Sequence, residues 1–161
     1  MLELKIFERK MQQNIESFYD KCFTDLGWGY DPIGRHSDIP KTHEIYMENG
    51  CMWCLYDNNL LIGTIAVRNI SEPDKSDKIA ELKRMYILKE YQGKGYGRLL
   101  LDTVINYVTE NDYDKIRLDS RVENRAAVYL YRKYGFVEIP AYNNNPFAEL
   151  YMELKLQKFL K

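Results

Sequence analysis

Three glycines at alternate positions, Gly93, Gly95 and Gly97, stand where an apolar-periodic helix begins, interleaved with Lys94 and Tyr96 and followed by Arg98. A glycine-rich helix start leaves backbone N–H groups free and sterically open, and the helix dipole adds positive character there. Such a turn is built to hold an anion, most often a phosphate. Further on, Asn124 and Tyr131 lie seven residues apart in a helical segment. Seven steps of 100° return almost to the same face, ~10 Å further along. One face therefore offers an amide and, deeper in, a phenol. Two acids, Glu81 at the start of one strand-like segment and Asp119 at the end of the next, are candidate general bases. Each is equally readable as a paired surface acid.

Spacing separates the phosphate-binding alternatives. A P-loop needs G-x-x-x-x-G-K-[ST], and no such string is present. A dinucleotide fingerprint needs G-x-G-x-x-G in the first strand–helix unit, with an acid ~20 residues later. Gly93-x-Gly95-x-Gly97 has other spacing and follows several strands. Gln92 to Gly97 instead reads Gln-x-x-Gly-x-Gly, after a strand and opening a helix.

The elements that must position these residues are legible in order. Residues 2–8 alternate as a half-buried strand. Met11, Ile15, Phe18, Tyr19, Cys22, Phe23 and Leu26 recur at helical spacing, so 10–26 is an amphipathic helix ended by Gly27 and Gly29. Residues 27–43 read as a long loop with a short helix after Pro40. Strands 51–56 and 61–69 follow as a hairpin across Asp57-Asn58-Asn59, and 71–78 is a solvated charged loop. Then come strand 81–88, helix 95–110, strand 115–120, a helix over 124–134 with Asn124 as N-cap, and strands near 136–139 and 148–156. This order predicts one α/β domain over 1–161, a mixed sheet with helices on its faces.

Composition narrows the partners. The chain of 161 residues is 45% hydrophobic and 29% charged with net charge −1, so no overall field favours nucleic acid or an anionic membrane. No apolar run reaches the ~18 residues that span a bilayer. Residues 1–20 carry Glu3, Lys5, Glu8, Arg9 and Lys10 where a secretory signal would be apolar. A cytoplasmic protein is expected. Three cysteines argue against a disulfide framework. Cys51 and Cys54 match C-x-x-C, but residues three apart in a strand face opposite ways, so buried structural thiols and no metal are expected. A homodimer is the assembly expected from frequency alone.

Gln92 to Gly97 resembles the acetyl-coenzyme A pyrophosphate loop of the GCN5-related N-acetyltransferase family, [RQ]-x-x-G-x-[GA]. The resemblance continues through Leu118-Asp119, Asn124 to Tyr131 and Lys133-Tyr134-Gly135-Phe136, and covers residues 81–137. It implies a mixed, mostly antiparallel, twisted sheet of six to seven strands flanked by helices. It implies acetyl-coenzyme A as co-substrate, with Gln92, Gly93, Lys94, Gly95, Tyr96, Gly97 and Arg98 at the pyrophosphate. The pantetheine arm would pair with Met85-Tyr86-Ile87 as an added strand, an amide near Ile87 facing the thioester carbonyl, with Asn124 toward the arm. Tyr131 would be the general acid for the departing thiolate. With a phenol near ~10 and a thiol near ~8.5, proton transfer is expected to run that way.

The acceptor pocket in such proteins is built from the first loop and from the connection between the last two strands, here Trp28 to His43 and Pro140 to Phe147. Trp28, Tyr30 and Tyr142 are candidates to line it around a small-molecule primary amine. Neither segment is rich in acid, which argues against polycationic acceptors, and neither clusters Lys and Arg as a nucleic-acid surface does. A protein N-terminus or lysine, or a non-catalytic acyl-coenzyme A-binding module, are the competing readings.

Overall fold

The computed structural model describes residues 1–157. Its elements are β1 (Leu2–Ile6), α1 (Gln12–Asp25), β2 (Gly50–Asp57), β3 (Leu60–Asn69), β4 (Ile79–Ile87), α2 (Tyr96–Glu110), β5 (Lys115–Ser120), α3 (Arg125–Lys133), β6 (Val137–Glu138) and β7 (Leu150–Lys155). The seven strands form one open sheet in the order β1-β2-β3-β4-β5-β7-β6. Every neighbouring pair is antiparallel except β4 and β5. The expected mixed, mostly antiparallel α/β sheet is the one observed.

Local chemistry explains the ends. Asn58 and Asn59 take φ of 47° and 72°, the pair of positive angles that a two-residue hairpin of right-handed twist requires. Before α1 the chain makes a tight turn over Arg9–Met11, so the helix starts two residues later than its apolar spacing suggests. The long connection after α1 contains a tight 3-10 turn at Ile39–Lys41 and a wide π-helical turn at His43–Met47.

The helices cover both faces. Gly63 faces Leu100 of α2, where an added Cβ would come within 3.5 Å, while its neighbour Thr64 accepts a hydrogen bond from Tyr19 of α1 at 2.8 Å. Adjacent strand residues point to opposite faces. α1 thus buries Ile15, Phe18, Tyr19, Cys22 and Phe23 on one face, and α2 buries Leu100, Leu101, Val104 and Val108 on the other. Cys51 and Cys54 are free and buried. Among the described residues, no helix is long and apolar enough to cross a membrane.

Two departures from regularity at β4 make room for a ligand. Its parallel pairing with β5 covers only Ile79–Glu81 against Lys115–Arg117, after which the two strands part. Between Ala66↔Lys83 and Thr64↔Tyr86 it also holds one extra residue, a bulge marked by Arg84 at φ 54°. The Thr64 hydroxyl donates to the Arg84 carbonyl at 2.8 Å.

Candidate active site

The gap between β4 and β5 opens into a cleft of about 1050 Å³. That is the upper end of the ~300–1,000 Å³ usual for ligand sites. The glycine turn forms one end. Gly93 and Gly95 hold φ of 78° and 86°, a region where only glycine is at ease, and an added Cβ at either would meet no protein atom within 4 Å. The ladder of α2 begins with Leu99 N–H to the Gly95 carbonyl at 3.3 Å, so the amides before it lie outside the ladder. Gly97 is needed for another reason. A Cβ there would stand 3.3 Å from both Leu130 and Met85 side-chain carbons, so glycine lets α2 approach α3 and β4. Gln92 ties the turn to the sheet by donating from Nε2 to the Ile87 carbonyl at 3.0 Å.

Of the residues expected to hold coenzyme A or to act on it, Met85, Tyr86, Ile87, Gln92, Gly93, Gly95, Tyr96, Gly97, Asn124 and Tyr131 border the cleft. Lys94 and Arg98 do not border it. Both are exposed; Lys94 lies 5.3 Å over the Tyr91 ring. The N-cap position of α3 is Asn124, as expected, but its side chain makes no capping bond. Its Nδ2 instead donates to Ser120 Oγ at 3.3 Å, which leaves the carbonyl oxygen of the amide for other partners. Tyr131 is 5% exposed, and its hydroxyl lies 3.5 Å from Met85 Sδ. Burial, then the nearby Tyr86, raises its pKa above the usual phenol range. An ordinary phenol is already ~1.5 units less acidic than a thiol. The expected downhill direction is therefore corrected: proton transfer from this phenol to a thiolate runs uphill.

The two acids occupy different places, and neither is a surface acid. Glu81 is 1% exposed and does not border the cleft. Its Oε1 takes Arg68 at 2.9 Å, and its Oε2 takes the Tyr142 hydroxyl at 2.7 Å and Asn143 Nδ2 at 3.5 Å. Asp119 does border the cleft. It accepts Lys83 Nζ at 3.0 Å and Asn143 Nδ2 at 2.7 Å. Burial pushes its carboxyl up, but Lys83 and Asn143 outweigh that and hold it below the usual range. It is a charged group at neutral pH and a weak base.

Of the three aromatics expected around an acceptor, Trp28 borders the cleft and Tyr30 and Tyr142 do not. Tyr30 donates to Glu16 at 3.1 Å, and Tyr142 is occupied by Glu81. Sequence reasoning passed over Arg35, His36, Asp38 and Arg84. Asp38 receives the Arg84 guanidinium at 2.8 and 2.6 Å and also the Tyr46 hydroxyl, so the first long loop is locked onto the bulge. A sequence signal for that lock is absent, because a bulge at an arginine has no residue-type signature.

These residues fit coenzyme A: an amide cradle open to a phosphate, and beyond it the stretch of β4 whose β5-facing edge is unpaired. The profile of the Acetyltransferase (GNAT) family matches residues 13–136, and the chain belongs to that family. Over 133 residues it is 25% identical to N-acetylaspartate synthetase of Xenopus tropicalis, covering 76% of this chain and 48% of that protein. The chain spans under half the length of the curated relatives it matches. Its fold is similar to that of a GNAT-family acetyltransferase from Staphylococcus aureus Mu50, with TM-score 0.84, 20% identity, and coverage of 98% of this chain and 100% of that one. It is also similar to a Brucella melitensis GNAT-family acetyltransferase in complex with acetyl-CoA, with TM-score 0.71, 14% identity, and coverage of 100% and 92%.

Proposed function

We propose that this protein transfers the acetyl group of acetyl-coenzyme A to a primary amine on a small molecule, by direct attack within a ternary complex. One observation carries the reading: the Tyr131 hydroxyl lies beside Met85, on the half of β4 that β5 does not pair, in the cleft that begins at the glycine turn. In this reading the amides around Gly93 to Arg98 hold the pyrophosphate, and the free edge of Met85 to Ile87 orients the arm. A thioester at that edge supplies an activated acyl carbon. The amine lone pair forms the C–N bond as the C–S bond breaks, and the proton lost by nitrogen ends on sulfur. Tyr131 donates a hydrogen bond to sulfur as negative charge develops there, and Asn124 holds the arm. Asp119 attracts the incoming ammonium, which gives one proton to solvent before it attacks, while Glu81 acts behind it by fixing Tyr142 and Asn143. Positioning supplies much of the rate for the amine once it is neutral.

A small acceptor is favoured because loops narrow the far end of the cleft: Arg35 lies 4.3 Å over the Trp28 ring and 4.2 Å over the Phe147 ring. A relative named for N-acetylaspartate makes a small acetylated amine, which is consistent with this. The test is thiol release from acetyl-coenzyme A across a panel of small amines, lysine peptides and peptide N-termini. Turnover with small amines is expected. Turnover confined to peptides moves the acceptor to proteins, and tight coenzyme A binding without any turnover makes the protein a binding module.

A further inference from the structure

Seven Lys and Arg side chains border the cleft: Lys89 and Arg125 lie just after β4 and just after Asn124, and the other five are Arg35, Arg68, Lys83, Arg84 and Arg121. Of these five, four have carboxylate partners: Arg68 with Glu81, Lys83 with Asp119, Arg84 with Asp38, and Arg121 with Glu123 and Glu149. Arg35 has none among the described residues. Its guanidinium lies between two rings, Trp28 at 4.3 Å and Phe147 at 4.2 Å. Rings at these distances hold the guanidinium in place but use none of its five N–H donors. The open edge matches a carboxylate held by two parallel hydrogen bonds.

The next residue presents the same unmet need. His36 is 1% exposed and borders the same cleft. Its Nδ1 accepts the Asp31 N–H at 3.0 Å, so in the neutral ring the proton sits on Nε2. That Nε2 is buried and has no hydrogen-bond partner. Buried donors are ordinarily satisfied, and one left over at a ligand cleft calls for an acceptor. Burial, then Arg84 and Arg35, lowers the His36 pKa to about 4, which keeps the ring neutral and a donor. Two adjacent residues therefore offer N–H groups and no acceptor.

We propose that the acetyl acceptor carries a carboxylate as well as its primary amine, and that Arg35, stacked between Trp28 and Phe147 and assisted by His36 Nε2, binds that carboxylate. The acceptor class is thus amino acids and short amino-acid derivatives with a free acid. The inference rests on the transfer reading above for the amine and stands on the cleft itself for the anion.

The experiment compares each of a set of amino acids with its own carboxamide, its decarboxylated amine and its aminophosphonate, using steady-state thiol release and, separately, calorimetric titration of the protein loaded with coenzyme A. The wild type is expected to prefer the acid over the carboxamide by tenfold or more in kcat/KM. Arg35→Gln should abolish that preference through KM, Arg35→Lys should restore part of it, and the KM for acetyl-coenzyme A should stay within twofold. Turnover with equal use of acids and carboxamides overturns the carboxylate site and leaves the transfer reading standing. Acid binding that depends on Arg35 without turnover of any amine does the reverse. A preference for the aminophosphonates replaces the carboxylate by a phosphate-type anion, and absence of both binding and turnover removes both readings.

Discussion

The Tyr131 hydroxyl stands 3.5 Å from Met85 Sδ, so the last turn of α3 touches β4 where that strand has parted from β5. Sulfur is a weak acceptor, and a buried phenol held only by a thioether is free to turn to a better one. A thiolate forming at that edge would be one. Tyr131→Phe is expected to lower kcat by ~10- to 100-fold, below or at the low end of general acid catalysis because the phenol's raised pKa opposes complete proton transfer. The KM for acetyl-coenzyme A should change less than twofold. Unchanged turnover removes Tyr131 from the chemistry.

Gly95 sits at φ 86° with open space around it, so a substitution there is strained in backbone without a clash. A non-glycine residue in this region costs ~1–2 kcal/mol, which the turn relieves by moving its amides. Gly95→Ala should weaken coenzyme A binding about tenfold, the conversion of that strain into affinity. Gly95→Glu should abolish binding, since its charge enters a cradle made for an anion. Both variants should keep the wild-type circular dichroism spectrum, and calorimetry with coenzyme A reads the affinity. Full affinity in Gly95→Glu would move the pyrophosphate elsewhere.

The half of the site that was legible in the sequence is the half built from short-range geometry. Gly93 and Gly95 announce a positive-φ turn by residue type, and Asn124 and Tyr131 share a face by helical period alone. The hairpin at Asn58-Asn59 and the buried stripes of α1 and α2 are local in the same sense. The acceptor half joins distant segments. Arg35 acquires meaning only when Phe147 and Trp28 close on it, and Asp38 only when it meets Arg84. Residue type misled where a long-range partner had already taken the side chain, as Glu16 has taken Tyr30 and Glu81 has taken Tyr142. The N-cap of α3 shows the same limit: Asn124 has the right type and position, yet its amide is turned to Ser120.

Asp38 neutralises Arg84, whose positive φ creates the bulge ahead of Met85 to Ile87. Asp38→Ala leaves a largely buried guanidinium without its carboxylate and the Tyr46 hydroxyl without its acceptor. Removing one partner of a buried pair costs ~3–5 kcal/mol. Because both side chains retain some solvent contact, we expect about 2–3 kcal/mol in denaturant unfolding. Asp38→Asn keeps the acceptor and should lose less. An Asp38→Ala protein as stable as the wild type would show that the pair does not hold the loop.

His36 gives stability a specific pH dependence. Its folded pKa is depressed to about 4, by burial first and by the Arg84 and Arg35 cations next, with Asp38 and Asp31 opposing. Unfolded histidine titrates near ~6.5. The unfolded chain therefore binds a proton that the native ring refuses, so the contribution is complete above about pH 6.5 and is lost as pH falls toward 4. Its size is about 3 kcal/mol. Thermal melts of the wild type and His36→Gln between pH 4.5 and 7.5, spanning ~2 kcal/mol of linkage, should show a difference that shrinks on acidification. Parallel curves would mean that His36 is as protonated in the native state as in the unfolded one.

Glu81 and Asp119 separate by what each carboxylate already holds. Glu81 is saturated by Arg68, Tyr142 and Asn143 and lies outside the cleft, so Glu81→Gln should act through the loop it anchors. We expect the acceptor KM to rise ~3- to 10-fold with kcat nearly unchanged, a loss of ground-state binding. Asp119 faces the cleft, and its depressed pKa keeps it ionised across the working range. It therefore contributes no inflection near neutrality, and the rising limb of the pH–rate profile should follow the pKa of the acceptor amine. Asp119→Asn should lower kcat/KM for the amine ~10- to 100-fold by removing the charge that attracts the ammonium, and leave that limb in place. If the limb instead disappears in Glu81→Gln, a proton passes through Glu81 during turnover, and the Tyr142–Asn143 loop must open to let it.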